Sequence, residues 1–386
     1  MGVRRTPGET YSPVMATTTP SLAPIAERAA APETLPAITA GGLTWRPATA
    51  DDVPALLELR NTIAAADKEP YRESLEEITE LFAAPWRRFD VDSIVGLDDD
   101  GRMLAYAMVE SQPGDTRTMR AFLFGGVHPT VRWQGIGREL FAWQVARGRQ
   151  VLAESGKDLP ARLGVFVEDD GPAAKRRIIE AAGFAPRRYY TELRRDLRDL
   201  AAQPLPDVRP AGGLRVVPFS DELDEATRLA HNDAFRDHWG SEPQTPEQWR
   251  TGRTAFMPQW SFVVVDDAPD VTALLADPDT DAETAAALEA GEPLVVAYEM
   301  ASKFTEDFAV KGYTFGYTEL LGTRRAYRGR RAGLAALAAG MRAFVNDEME
   351  YAALDVDTAN PSGAHGMYAS LGYEVTTSST MLSIEL

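Results

Sequence analysis

Two stretches of this chain hold residue types that could grip an anion. Residues 322–335 read GTRRAYRGRRAGLA, and residues 126–140 read GVHPTVRWQGIGREL. They align without a gap: Val127 falls on Thr323, Arg132 on Arg328 and Gly137 on Gly333. Each stands between a run that reads as a strand and a run that reads as a helix. The first N–H groups of a helix have no intrahelical partner and carry the positive end of the peptide dipoles. Glycine lets the backbone approach a bound anion closely, and arginine adds charge-assisted hydrogen bonds. RWQGIG and RGRRAG are therefore each expected to cradle a diphosphate. Neither is a G-x-G-x-x-G fingerprint, and no G-x-x-x-x-G-K-[ST] loop occurs.

The body around these turns is acidic. Lys and Arg number 40 against 58 Asp and Glu, for a net charge of −18. A field of that sign repels nucleic acid and anionic membranes, so neither is expected as a partner. The chain has no cysteine, which excludes disulfides, thiolate metal sites and cysteine nucleophiles. Its four histidines, His128, His231, His238 and His365, are scattered, and no metal site is expected. The lack of cysteine fits a reducing compartment, and a cytoplasmic location is the expectation.

The elements that position the turns occur twice in 386 residues. Residues 1–42, rich in Ala, Thr, Pro and Ser, read as a disordered tail. Order then starts with a strand at Leu43–Arg46, a helix from Val53 and a second helix over 73–83. Strands follow at about 93–97 and 103–111, and another runs to Val127. After the turn come a helix over 135–155, the strand ARLGVFVE, a helix closed by Gly183, and a last strand. AAQPLPDVRPAGG reads as a linker. The order restarts at LRVVPFSDELDEATRLAHNDAF, which mirrors LTWRPATADDVPALLELRNTI. Residues 268–292, acidic and without Lys or Arg, read as a solvated loop with one possible short helix at 281–290. The reading is an α/β (α+β) chain of two like domains, 43–200 and 213–386, joined by 201–212. Each has a mixed, mostly antiparallel sheet flanked by helices.

Val127-x-Pro129-x-x-Arg132-x-x-Gly135-x-Gly137 strongly resembles the acyl-CoA motif R/Q-x-x-G-x-G/A of the GNAT N-acetyltransferases. The ending TANPSGAHGMYASLGYE resembles the GNAT pattern N-x-x-A-x-x-x-Y-x-x-x-G-F, with one extra residue between Asn360 and Ala364. Two such domains in tandem, with the stretch HNDAFRDHWGS, resemble actinobacterial tandem acetyltransferases of the mycothiol-synthase type. The resemblance implies acetyl-CoA, or another acyl-CoA, as donor and an amine as acceptor. It places the donor on Val127, Arg132, Gly135, Ile136 and Gly137 in the first domain. In the second it implies Thr323, Arg328, Gly333 and Asn360. There the gap-free alignment puts Arg331 at the first-glycine position. A shift of two gives Arg330-x-x-Gly333-x-Ala335, a full match, so both registers stand.

Acyl transfer from a thioester needs a base for the attacking amine, a donor for the developing oxyanion and an acid for the leaving thiolate. The resemblance assigns the oxyanion to a backbone N–H of the strand before the turn. It assigns the acid to the tyrosine five residues before the Phe of Gly-Phe. In the second domain this is Tyr368, and in the first the position holds Ile179, which cannot donate a proton. Strand alternation puts Tyr317 and Glu319 on one face of YTFGYTELLGT, with Glu319 a candidate base. RAFLFGG offers no carboxylate. His238 and Trp239 lie where GNAT acceptors usually bind, and Tyr317 is a further candidate contact. The expectation is acetyl transfer to a small-molecule amine in the C-terminal domain, with the N-terminal domain holding acyl-CoA or acting structurally. The alternatives are N-terminal catalysis, a protein lysine acetyltransferase, and an acyl-CoA-binding regulator without turnover. Monomer and homodimer both remain open.

Overall fold

The computed structural model describes residues 22–358 and 364–386. The first half runs α1 (Ile25–Arg28), β1 (Thr44–Arg46), α2 (Val53–Asp67), α3 (Leu75–Ala83), α4 (Phe89–Asp92), β2 (Ser93–Leu97), β3 (Met103–Ser111), β4 (Met119–Val127), α5 (Ile136–Glu154), β5 (Ala161–Glu168), α6 (Ala173–Ala181) and β6 (Ala185–Asp196). The second runs β7 (Arg215–Pro218), α7 (Asp224–Ala234), α8 (Pro246–Arg250), β8 (Phe262–Asp266), α9 (Val271–Ala276), α10 (Ala282–Ala290), β9 (Leu294–Ser302), α11 (Thr305–Lys311), β10 (Phe315–Thr323), α12 (Ala332–Asn346), β11 (Tyr351–Asp357), α13 (Ala364–Ser370) and β12 (Glu374–Glu385). The repeated order expected from the sequence is present. Local signals set many boundaries. Ser74 accepts the amide of Glu77, whose carboxylate returns to the Ser74 amide, and this box starts α3. Gly183, at φ 92°, follows the end of α6.

The two halves do not keep separate sheets. All twelve strands among the described residues form one sheet, ordered β1-β2-β3-β4-β5-β12-β6-β11-β10-β9-β8-β7. β12 pairs antiparallel with β5 along Ser379–Glu385, and β6 pairs antiparallel with β11 along Tyr190–Asp196. Each half has thus handed its last strand to the other. The division at 201–212 marks a change of half along the chain, and a cut there would leave each half with its partner's final strand. Patterning permits this exchange, because each strand carries one buried run, Thr191–Leu193 in β6 and Thr380–Ser383 in β12, and neither run by itself selects β5 or β11.

Two segments expected to be loose are held in place. Residues 22–42, read as tail, form a strap over α5. Ile25 and Ala29 are buried in the first core. Arg149 donates to the Ala29 carbonyl at 2.6 Å and Gln150 to that of Pro32 at 2.9 Å. The linker is anchored too: Arg195 donates to the carbonyls of Gln203 and Pro204, both at 3.0 Å. Strap and linker end alike, as Ala40-Gly41-Gly42-Leu43 and Ala211-Gly212-Gly213-Leu214. All four glycines have positive φ, between 63° and 79°. Gly41 lies so close over Ile136 that a Cβ there would stand 2.4 Å from its Cδ1. The amide of Ala211 donates to the Arg330 carbonyl at 2.9 Å.

The insertion 268–292 is also ordered. Its helices α9 and α10 bring Asp279 to 2.8 Å from Arg325 and Glu283 to 3.2 Å from Arg228. Its carboxylates therefore neutralise basic residues around the second turn. None of the helices among the described residues is long and apolar enough to cross a membrane.

Candidate active site

The two glycine-rich turns follow one backbone path. Trp133 (φ 68°) corresponds to Gly329 (φ 79°), and Gly135 (φ 91°) corresponds to Arg331 (φ 60°). Gly135 and Arg331 are the left-handed residues that start α5 and α12. This fixes the gap-free register and sets aside the shifted one. Ala335 lies inside α12, 1% exposed, with its amide bonded to the Arg331 carbonyl at 3.0 Å. It faces no ligand. Gly333 does matter by position, since a Cβ there would come within 2.6 Å of Thr323 Oγ1. The counterpart Gly137 has more room, 3.8 Å from both Val127 and Ile178. Ile136 is buried and offers the turn its amide alone.

The arginines differ in what they hold. Arg132, expected on a diphosphate, forks onto Asp67 at 2.5 and 3.0 Å and bonds the Val127 carbonyl at 3.1 Å. It fastens the end of α2 to the turn. Of the five arginines at 324–331, Arg324 is buried and donates to the Val295 carbonyl at 2.7 Å. Arg325 pairs with Asp237 and Asp279, and Arg328 donates to the Ala234 carbonyl at 2.9 Å. Arg330 and Arg331 are exposed and, among the described residues, have no carboxylate partner. Arg330 rests over the Tyr327 ring, 4.6 Å from its centre. Behind them the first-turn amides of Ala332 and Gly333 have no intrahelical partner.

Beside each turn, two parallel strands splay apart. β4 and β5 are paired only from Met119↔Ala161 to Phe122↔Gly164. β10 and β11 are paired only from Phe315↔Tyr351 to Tyr317↔Ala353. The second slot has a feature that the first lacks. β10 slips register against β9 between Thr318 and Leu320, so Glu319 sits on a bulge. β4 runs against β3 without a slip. The bulge leaves backbone groups out of the ladder at the slot, where an oxyanion donor is needed.

Glu319 reaches solvent but lies deep in the cleft, and burial raises its pKa. The Ser302 hydroxyl donates to it. Tyr317 donates to Asp355 at 2.9 Å, and burial raises the pKa of both, that of Tyr317 strongly. Beneath the bulge, Thr318 donates at 2.9 Å to Glu299, a fully buried carboxyl whose pKa burial pushes well up.

Tyr368 is 7% exposed and packs with Met341, Phe344 and Leu354 in the core on the α12 side of the sheet. Burial pushes its pKa up to about 12. Its hydroxyl has no hydrogen-bond partner among the described residues. Tyr317 and Glu319 lie toward the opposite face, so the slot between β10 and β11 separates Glu319 from Tyr368. Ile179 is 2% exposed and belongs to the first core. Asn360 lies outside the described residues.

His238 packs on the Phe235 ring and lies 3.3 Å from the Ser241 hydroxyl, and Trp239 reaches the first half. Trp239 lies between two arginines of the first half, 3.8 Å from Arg162 and 4.4 Å from Arg188. Nearby Glu242 accepts the amides of Thr116, Arg117 and Thr118 at 2.8–2.9 Å. HNDAFRDHWGS is thus divided: Arg236, Trp239 and Gly240 meet the first half, while His231, Asp233, Ala234 and Asp237 meet β9 and the second turn.

The first half instead lends the cleft residues that sequence reasoning missed. Tyr71, in the loop between α2 and α3, donates to Glu168 at the end of β5, 3.3 Å away. Glu192 on the exchanged strand β6 stands directly opposite Asp355 and accepts from Lys311 of α11. The Arg72 amide donates at 2.6 Å to Asp307 of α11, which ties this loop across the cleft. Burial raises Glu168 to about 7 and Asp307 to about 6. In sequence these carboxylates carry no motif, since Glu168 ends β5 while Glu192 and Asp307 lie inside β6 and α11, and the strand exchange brings β6 beside β11.

No protein-family model matches the chain, and no curated protein matches its sequence. Solved structures do match. One is a GCN5-related N-acetyltransferase from Sphaerobacter thermophilus, at TM-score 0.61 and 20% identity, covering 91% of this chain and 97% of that one. Another is a tandem GNAT protein from the clavulanic acid biosynthesis pathway, at 0.59 and 19%, covering 89% and 98%. A third is Saccharomyces cerevisiae N-myristoyltransferase with bound myristoyl-CoA, at 0.57 and 13%, covering 93% and 82%. The chain has the GNAT fold, twice in tandem along nearly its whole length.

Proposed function

We propose that the chain is an acyl-CoA-dependent N-acetyltransferase acting on the primary amine of a small molecule, with its chemistry in the C-terminal half. The observation that carries this reading is the bulge at Glu319, placed where β10 leaves β11 and leads into the arginine-glycine turn. The residues fit the donor. Arg330, Arg331 and the amides of Ala332 and Gly333 would hold its phosphates. Gly333 lets the start of α12 lie against the end of β10, where a Cβ would meet Thr323 Oγ1 at 2.6 Å. Bound there, the donor supplies an activated acetyl thioester to the slot.

The protein groups then divide the proton work. Glu319, with its raised pKa, takes a proton from the acceptor nitrogen as that nitrogen forms its bond to the thioester carbonyl carbon. The bulged backbone meets the charge that develops on the carbonyl oxygen. Tyr368 keeps its proton at neutral pH and gives it to the departing thiolate as the carbon–sulfur bond breaks. The likeness to N-acetyltransferases of the same fold supports acetyl as the group moved.

The test uses the full chain with acetyl-CoA and a panel of amines, following thiol release and acetylated product by mass. Turnover that is lost in Glu319→Gln and kept in Arg132→Met supports the reading. Acetyl-CoA binding with no turnover on any amine overturns it in favour of a binding protein. Turnover insensitive to Glu319→Gln moves the chemistry to the first half.

A further inference from the structure

We propose that Glu299 is a positioning residue of the second site: by holding Thr318, its carboxyl sets the bulge of β10, and with it the places of Glu319 and of the backbone donor beside it. This rests on the site assignment above and names what keeps that site in register. Glu299 stands inside β9, 0% exposed, and accepts the Thr318 hydroxyl at 2.9 Å. The slip against β9 begins at Thr318. Glu319 is the extra residue between Thr318, paired with Ala301, and Leu320, paired with Met300. β9 thus pins the bulge on both faces of the sheet. Glu299 holds Thr318 on the α12 side, and the Ser302 hydroxyl holds Glu319 on the cleft side.

The first half shows the same layer built the other way. Counted back from the turn, Leu321 lies opposite Glu299 as Gly125 lies opposite Ala107. The place of Glu299 is therefore held by Ala107, and the residues of β4 at the level of Thr318, Phe122 and Leu123, are apolar. No such bond can form there, and β4 has no slip. The helices differ in the opposite sense. The alignment of Gly137 with Gly333 puts Gln144 of α5 on Gly340 of α12. Gln144 is buried and donates to the Phe124 carbonyl at 2.6 Å. Gly340 leaves the matching space to Glu299, whose Oε2 would stand 2.6 Å from a Cβ there. In each half one polar side chain fills the layer between helix and sheet. It comes from the helix in the first half and from the strand in the second. A glycine inside a helix and a carboxyl taken out of water both work against stability. The Oε2 of Glu299 has no hydrogen-bond partner among the described residues. Two such departures at one contact, directly under the bulge, mark a functional constraint.

The experiment compares two variants of the full chain. In Glu299→Met/Thr318→Val both partners become apolar groups of similar shape. Glu299→Gln keeps an oxygen that can accept from Thr318. Hydrogen exchange without ligand reads the bulge itself, and acetyl-CoA turnover with the panel of amines reads its use. In the double variant the amides of 317–321 should exchange at least about tenfold faster. Its Tm should stay level or rise, because no buried partner is left unsatisfied. Its kcat should fall by at least about tenfold, with the KM for acetyl-CoA within about twofold, since groups held out of place lose rate before binding. Glu299→Gln should return exchange and kcat toward the wild-type values. Unchanged exchange at 317–321 in the double variant overturns the inference, whether or not any amine is acetylated. So does an unchanged kcat. A lower Tm with faster exchange across the whole sheet gives Glu299 a general structural role and overturns it as well. The local exchange difference in a wild type that acetylates no amine sinks the catalytic reading and keeps Glu299 as the residue that sets the bulge.

Discussion

The turn before α5 and the turn before α12 share a backbone path and divide in charge. In the first, Arg132 is tied to Asp67, and Glu139 stands in the opening turn of the helix. That carboxylate accepts the amides of Thr39 and Ala40 at 2.6 and 2.9 Å, so a segment of the chain itself sits at this helix start. In the second, Ala335 takes the place of Glu139, and Arg330 and Arg331 have no carboxylate partner among the described residues. The neighbouring strands divide in the same way: β10 has the bulge and a glutamate, while β4 has neither. On the proposed reading, a duplicated fold has kept its architecture in both copies and its chemistry in one. The first copy is still part of the second cleft, because β6, Glu168 and Tyr71 belong to it. Nothing in the structure accounts for Trp133, 87% exposed in a left-handed conformation on the first turn.

The sharpest way to break this comparison is to remove the base. Glu319→Gln keeps the shape and loses the proton acceptor, and kcat should fall by about a hundredfold or more. The pH profile carries a second signature. The raised pKa of Glu319 leaves it protonated, and idle as a base, at low pH. Activity should therefore rise with pH through that pKa. It should then stay level into mildly alkaline solution, since Tyr368 does not ionise until about 12. An alkaline fall near pH 8 would remove Tyr368 from the acid role. Tyr368→Phe should lower kcat by at least about tenfold with acetyl-CoA affinity little changed, because the ring and its packing remain.

Arg331 sharpens the comparison through stability. A non-glycine residue in the left-handed region costs about 1 kcal/mol. Arg331→Gly should therefore raise Tm slightly while weakening acetyl-CoA binding by about tenfold, as a charge-assisted contact is lost. Calorimetry with both wild type and variant decides it. A more stable protein with unchanged affinity would free this arginine of any role toward the donor.

What could be read from the sequence was what short-range physics fixes. The turns, the order of elements, the cap at Gly183 and the carboxylate of Glu319 all follow from residues close together in the chain. The exchange of β6 and β12 does not. Each strand carries one short buried run, and the choice of partner is made by geometry between residues more than 150 apart in sequence. The role of Arg132 was hidden for a related reason. Its type and spacing are the same whether the fork meets a phosphate or Asp67, 65 residues earlier. The strap lacks periodicity because it holds on by a few anchors such as Ile25 and Ala29. Its one legible mark is the Ala-Gly-Gly-Leu repeat shared with the linker.

The smallest expected effect on acetyl-CoA is at Arg132, and it separates the halves most directly. Three hydrogen bonds engage its guanidinium, two to Asp67 and one to the Val127 carbonyl. The Asp67 side chain is only 6% exposed and that of Arg132 26%. Arg132→Met leaves a buried carboxylate without its partner, which should cost about 2–3 kcal/mol of stability. Asp67→Leu in the same chain should recover part of that loss, since both charges are then gone and apolar groups fill the space. Acetyl-CoA affinity should move by less than about twofold in either variant, because the fork points at a side chain and away from the turn's open amides. The opposite pattern, an unchanged Tm with a large loss of affinity, would mean that Arg132 leaves Asp67 to meet the donor. The first turn would then be a working phosphate site, and the division of labour between the two copies would fail.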